Sequence, residues 1–117
     1  MKYRFNCAID ATMSVIEGRW KGTIICLLAK NGTMRFSELQ KSIGEVTSRI
    51  LTKQLKELED DGMVNRVVST DGKLKVEYSL TGRGMSIIPV LKAIGEWGLA
   101  NQFTQVIVPA DPTESTV

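Results

Sequence analysis

The hydrophobic period of this chain changes twice, and that pattern constrains its fold more than any other feature. From residue 8 to residue 61 apolar side chains recur at helical spacing. Over residues 63–69 and 73–80 the period drops to two, in runs rich in Val. Asp71-Gly72 lies between those runs. That dipeptide is a strong hairpin signal, because a tight turn needs the positive φ that Gly adopts freely. After Thr81 helical spacing returns, with Met85, Ile88, Leu91, Ile94 and Trp97 in one stripe. Pro89 sits inside the stripe and lacks an N–H, which predicts a kink or break there.

The helical part divides further. Ile9, Met13 and Ile16 mark a helix over residues 8–16, with Asn6 as its cap, and Gly18 interrupts it. Trp20, Ile24, Leu27 and Leu28 mark a second over residues 20–30, ended by Asn31-Gly32. Residues 33–36 read as a short extended link. Ser37-x-x-Gln40 reads as a capping box that opens a short third helix to residue 42. After the turn Gly44-Glu45-Val46, a fourth helix over residues 47–61 carries Leu51, Leu55 and Leu58 at i, i+4 and i+7, with Gly62 as the stop. Four helices, a hairpin and a helix predict a mainly α fold with a β-hairpin wing (α+β), in the order of a winged helix-turn-helix. A chain of 117 residues can bury one core without staples. Residues 1–103 are expected to form that domain. Residues 104–117, with Pro109, Pro112 and small polar residues, are expected to be a flexible tail.

The residue inventory excludes whole classes of chemistry. With no histidine, Ser-His-Asp and Cys-His catalysis and His-based metal sites are out of reach. Two cysteines, Cys7 and Cys26, cannot build a Cys-rich zinc site. No paired-carboxylate constellation or phosphate loop is evident, and Gly82-Arg83-Gly84 is too short to be one. The chain therefore reads as a non-enzyme with no cofactor and no metal. Its longest purely apolar run, residues 24–29, is six residues, against about 20 needed to span a bilayer. The basic N-terminus has no apolar stretch behind it, as a secretory signal would. A cytoplasmic protein with no membrane partner is expected.

Net charge is only +2, from 15 Lys and Arg against 13 Asp and Glu, so placement matters more than balance. The fourth helix has an unusual polarity. Arg49, Lys53 and Lys56 fill its first half with no acid, and Glu57, Glu59, Asp60 and Asp61 fill its end with no base. The helix dipole prefers the reverse by a few tenths of a kcal/mol, which suggests that something else selects the arrangement. A phosphate backbone beside the N-terminal half would do so. If the leucines face the core, Ser48, Arg49, Thr52, Lys53 and Lys56 face outward, where Arg and Lys can bond guanine edges and Ser or Thr can bond bases or phosphates. Lys73 and Lys75 at the hairpin tip suit flanking phosphates. Arg35 and Ser37, at the entry to the third helix, suit the backbone on the other side.

Several motifs in fixed order are similar to one family. Ile16-Glu17-Gly18-Arg19-Trp20, Met34-Arg35-Phe36-Ser37-Glu38-Leu39, residues 50–59 (Ile-Leu-Thr-Lys-Gln-Leu-Lys-Glu-Leu-Glu), Asp61-Gly62-Met63-Val64 and Val76-Glu77-Tyr78-Ser79-Leu80-Thr81 resemble the HxlR-type winged helix-turn-helix transcriptional regulators, which are MarR-like. The resemblance covers about residues 7–98. It implies a small bacterial or archaeal regulator that binds double-stranded, palindromic operator DNA as a homodimer, with the first and last helices at the interface. It places Thr47, Ser48, Arg49, Thr52 and Lys53 at base-reading positions. A protein-interaction module without specific DNA binding is the alternative, and it would need no positive field around the fourth helix.

The dimer has support of its own. The last helix is apolar on more than one side, through Ile87, Ile88, Val90, Leu91, Ile94 and Trp97, followed by Leu99 and Phe103, whereas a small core needs one face. The alternative is that the first helix of the same chain absorbs both faces. Cys7, at the start of a helix and near Lys2 and Arg4, has the setting of a reactive thiol. Some members of the family use a cysteine at this place to sense oxidants or electrophiles, although there Pro follows the cysteine and here Ala8 does. The other reading of Cys7 is a small apolar residue under the dimer. Cys26, within Ile-Ile-Cys-Leu-Leu, reads as core.

Overall fold

The computed structural model describes residues 7–101. Six helices and three strands follow in order: α1 (Ala8–Ile16), α2 (Lys21–Asn31), β1 (Met34–Arg35), α3 (Phe36–Ile43), α4 (Ser48–Asp60), β2 (Val64–Ser69), β3 (Lys75–Leu80), α5 (Gly82–Ser86) and α6 (Ile88–Ala100). This is a winged helix-turn-helix, with α3 and α4 as the helix pair and β2–β3 as the wing. The N-cap of α1 is Cys7 rather than Asn6, and the expectations for Lys2, Arg4, Phe103 and the tail lie outside the described residues.

The core sits where α2, α3, α4 and the sheet meet. Ile24, Ile25, Leu28, Leu39, Leu51, Leu55 and Leu58 are its most completely buried side chains. Each such side chain contributes about 1.5–3 kcal/mol by leaving water. The i, i+4, i+7 leucines of α4 face inward as their spacing predicts. Ile16 brings in the end of α1, and Tyr78, Val64 and Met63 bring in the wing.

Two local expectations change, and the expected break at Pro89 forms two residues earlier, at Ile87. The extended link is a strand: Met34 pairs with Tyr78 and Arg35 with Glu77, which gives a three-stranded antiparallel sheet of order β1-β3-β2. Because Arg35 is held in that sheet, α3 opens at Phe36, and the box does not form on Ser37 and Gln40. Instead Oε1 of Glu38 accepts the Arg35 backbone N–H at 2.8 Å. At the other end, the chain breaks at Ile87, so α5 and α6 are separate helices and Pro89 falls in the first turn of α6, where its missing N–H costs nothing.

Gly84 has a reason unrelated to flexibility. A Cβ there would collide with the Met63 carbonyl, so the chain after the wing can pack this closely only through glycine. Thr81 fixes the same corner. Its hydroxyl accepts from the Gly84 N–H at 3.0 Å and lies 2.6 Å from the Gly62 carbonyl, to which it donates.

The apolar stripes of the outer helices are only partly absorbed. In α1, Ile16 is buried while Ile9 is 72% exposed and Met13 is exposed. In α6, Ile88 and Leu91 pack on the core, no residue is fully buried, and Val90, Ile94, Trp97 (62%) and Leu99 are exposed. A shared helical spacing in the sequence thus does not mean a shared burial.

Candidate nucleic-acid interface

The helix-turn-helix presents α4 with one face in the core and the other to solvent. Thr47 is its N-cap, and its hydroxyl accepts from the Ile50 N–H at 3.2 Å. Ser48, Arg49, Thr52, Lys53 and Lys56 are all exposed, as the inward-facing leucines require. Ser48 is also tied to α3: Nε2 of Gln40 donates to its Oγ at 2.9 Å and approaches the Val46 carbonyl at 3.4 Å. The turn between the helices is therefore clamped by a side chain that the sequence assigned to a cap.

Among the described residues, Arg49 and Lys53 enter no ion pair. Lys56 does, with Asp60 at 3.0 Å, one turn on. The hydrogen bond and charge of Asp60, with Glu59 behind it, hold the Lys56 pKa above its ordinary value, against the opposing charge of Arg66. The acidic end of α4 proves to have internal partners. Glu57 meets Lys21 at 3.2 Å, Asp60 meets Lys56, and the Asp61 carbonyl accepts from Nη1 of Arg83 at 3.2 Å. The inverted charge polarity of α4 thus has a partial structural account: Glu57 is held against Lys21 of α2, whereas Arg49 and Lys53 enter no ion pair among the described residues.

The remaining expected residues lie on the wing and at the entry to α3. Lys73 is exposed in the wing turn, and Lys75, at the start of β3, is partly engaged by Glu77 at 3.6 Å. Leu74 between them is 75% exposed. Arg35 and Ser37 are exposed at the entry to α3, on the sheet edge away from β2. The sequence assigned no role to Arg66. It stands exposed on β2 opposite Tyr78, and its charge reaches Lys56. Its signal was available: it is a basic residue inside a Val-rich strand of which only Val64 is buried. Gln54 was also missed. It is a buried polar residue on the leucine face of α4, and its Oε1 accepts the Trp20 N–H at 2.9 Å.

The two thiols differ sharply. Cys7 is exposed at the N-cap position of α1. Cys26 is half-buried, and burial pushes its thiol up to about 11. It is less enclosed than a core reading implies, because it lies on the flank of α2 outside the arc formed by the buried Ile24, Ile25 and Leu28.

Comparison with known proteins gives one consistent picture. The model of the HxlR-like helix-turn-helix family matches residues 15–105. An HTH-type transcriptional regulator of Halalkalibacterium halodurans is 47% identical over 91 residues, which is 78% of this chain and 80% of that protein. The solved structure of the redox regulator HypR in its reduced form has a TM-score of 0.76 and 40% identity, covering 82% of this chain and 94% of that one. The reduced form of the transcriptional regulator YodB from B. subtilis has a TM-score of 0.73 and 31% identity, covering 92% of this chain and all (100%) of that one.

Proposed function

The chain belongs to the HxlR-like helix-turn-helix family of transcriptional regulators, and from that premise we propose that it binds a specific inverted-repeat operator as a homodimer. The observation that carries this reading is the outer face of α4. Arg49 and Lys53 project from a helix whose inner face is locked in the core, and neither enters an ion pair among the described residues. With the N-terminal half of α4 in the major groove, Thr47, Ser48, Arg49, Thr52 and Lys53 meet base edges. Arg35 and Ser37 on one side, and Lys56, Arg66, Lys73 and Lys75 on the other, meet flanking phosphates and set the register of the protein on DNA.

The exposed apolar faces of α1 and α6 support the dimer. Ile9, Met13, Val90, Ile94 and Trp97 lie on the two helices that the core leaves largely uncovered. A second copy of the chain would bury them around a two-fold axis, the commonest arrangement for a small regulator on a palindrome. The two α4 helices would then meet half-sites about 34 Å apart.

Cys7 is the proposed point of control by oxidants or electrophiles. It is exposed, it stands at the N-cap of a helix whose apolar face is assigned to the dimer, and the structurally similar HypR is described as a redox regulator. The test of the basic reading is the salt dependence of binding to arbitrary duplex DNA. Each neutralised phosphate adds about 0.9 to the log–log slope. A steep slope supports the DNA interface, and a flat one favours a winged helix that docks on protein.

A further inference from the structure

The joint between α1 and α2 lies along α4. Nη2 of Arg19 meets Oε2 of Glu45 at 3.4 Å, just before the helix. The Trp20 N–H meets Oε1 of Gln54 at 2.9 Å, and Nζ of Lys21 meets Oε1 of Glu57 at 3.2 Å, one turn further on. The Arg19 pair is open to solvent and adds little. The other two are more enclosed: the Lys21 side chain is only 5% exposed, although its partner Glu57 is 44% exposed, and Gln54 is buried. Gly18 makes room for them. Its φ is +154°, and a Cβ there would press on the Lys21 stem at 3.1 Å.

Stability does not call for a lysine here. Taking an ammonium out of water costs several kcal/mol, and a well-packed apolar residue of similar size is often as good or better. What an apolar residue cannot supply is direction, because hydrophobic burial is non-directional. An ammonium one turn away from a buried amide adds two directional contacts to the packing of Leu51, Leu55 and Leu58 that holds the inner face of α4. Only four residues (Glu17, Gly18, Arg19 and Trp20) separate α1 from α2, so the same contacts fix α4 relative to α1.

We propose that Lys21 is a positioning residue for operator recognition: acting through Glu57, with the Trp20–Gln54 bond beside it, it sets α4 against α1 and thereby the spacing at which two copies read their half-sites. The proposal rests on the dimeric DNA-binding reading above. Its test is selection from a duplex library with randomised half-sites and spacers of varied length, run with the wild type, Lys21→Met and Glu57→Gln, alongside urea unfolding. The wild type recovers an inverted repeat with one spacer. Lys21→Met keeps the urea midpoint and the affinity and salt slope for random DNA. It loses about twofold to thirtyfold in operator affinity, the range expected for a coupling residue that touches no ligand, and it accepts other spacers. Glu57→Gln, at a half-exposed position, shifts the spacer choice in the same direction by less, and it carries the test if Lys21→Met does not fold. A merely structural lysine would lower the midpoint and leave the spacer choice of the folded protein unchanged, and that result overturns the proposal. If the wild type itself recovers no repeat, the functional reading fails first and this inference falls with it.

Discussion

Gln40 and Ser48 hold the helix-turn-helix at its bend: Nε2 of Gln40 donates to Oγ of Ser48 at 2.9 Å, joining the last turn and a half of α3 to the first residue of α4. The bond sets the entry of α4 with a side chain, next to the residues that would meet DNA. Gln40→Ala should lower unfolding stability by about 0.5 kcal/mol, the low end for a hydrogen bond, because the bond to Ser48 is open to solvent. Ser48→Ala should cost less, because Gln40 keeps the Val46 carbonyl within 3.4 Å. Equal urea midpoints for both variants and the wild type would show that the clamp does not matter.

The ion pairs rank the basic residues. Arg49→Ala should cost about 1–3 kcal/mol of operator affinity and relax base preference at one position of each half-site. Lys53→Ala should weaken binding more than Lys56→Ala, since Asp60 already engages Lys56. In the wing, Lys73→Ala should weaken binding evenly across sequences and reduce the salt slope by about 1, with a smaller change for Lys75→Ala because of Glu77. Anisotropy titrations at several salt concentrations measure all five, and an inverted order would contradict the assignment.

The corner after the wing should be intolerant of change. Gly84→Ala forces a methyl group toward the Met63 carbonyl and should destabilise by about 3 kcal/mol, the upper end of overpacking. Thr81→Val removes the acceptor for Gly84 N–H and the donor to Gly62, and should cost about 1–2 kcal/mol as a lost cap. Chemical denaturation checks both, and wild-type stability in Gly84→Ala would refute the close approach.

The thiols should separate by pH. At neutral pH iodoacetamide should label Cys7 readily and Cys26 hardly at all, because a thiol held near 11 carries little thiolate there. The folded-state pKa of Cys26 lies above the ordinary 9.0, so its neutral form is favoured by folding. That contribution is complete below pH 9 and is lost as pH rises through about 11. Stability should therefore fall more steeply over that window in the wild type than in Cys26→Ala. Cys7→Ser should make operator affinity insensitive to diamide, and retained sensitivity would remove Cys7 from the account.

The exposed face of α6 should be where the copies meet. Ile94→Glu and Trp97→Glu should each convert a dimer to a monomer in analytical ultracentrifugation while the helix content by circular dichroism stays near that of the wild type. Persistence of the dimer in both would move the interface elsewhere.

Much of this was legible because it is local. The two changes of period, Asp71-Gly72 and the stop at Gly62 place the wing and α4 without any tertiary information, and the leucines of α4 fix which side of Arg49 and Lys53 faces solvent. What depends on distant partners was not legible. Met34 and Arg35 become a strand only because Tyr78 and Glu77 lie beside them, and that pairing is what moves the start of α3 and leaves Gln40 free to reach Ser48. Likewise Glu57 reads as an unfavourable acid near a helix end until Lys21 is found against it. The stripes of α1 and α6 show that they are helices, but spacing alone does not say what covers Ile9 or Trp97.

The most direct test of the central claim is to incubate the purified, reduced protein with fragmented genomic DNA at near-physiological salt, recover what it retains, and repeat with Arg49→Ala. The account predicts that the wild type enriches a single inverted repeat with half-site centres about one helical turn apart, and that Arg49→Ala loses or blurs it. Equal recovery of all fragments by both proteins, with no repeat enriched, would contradict it.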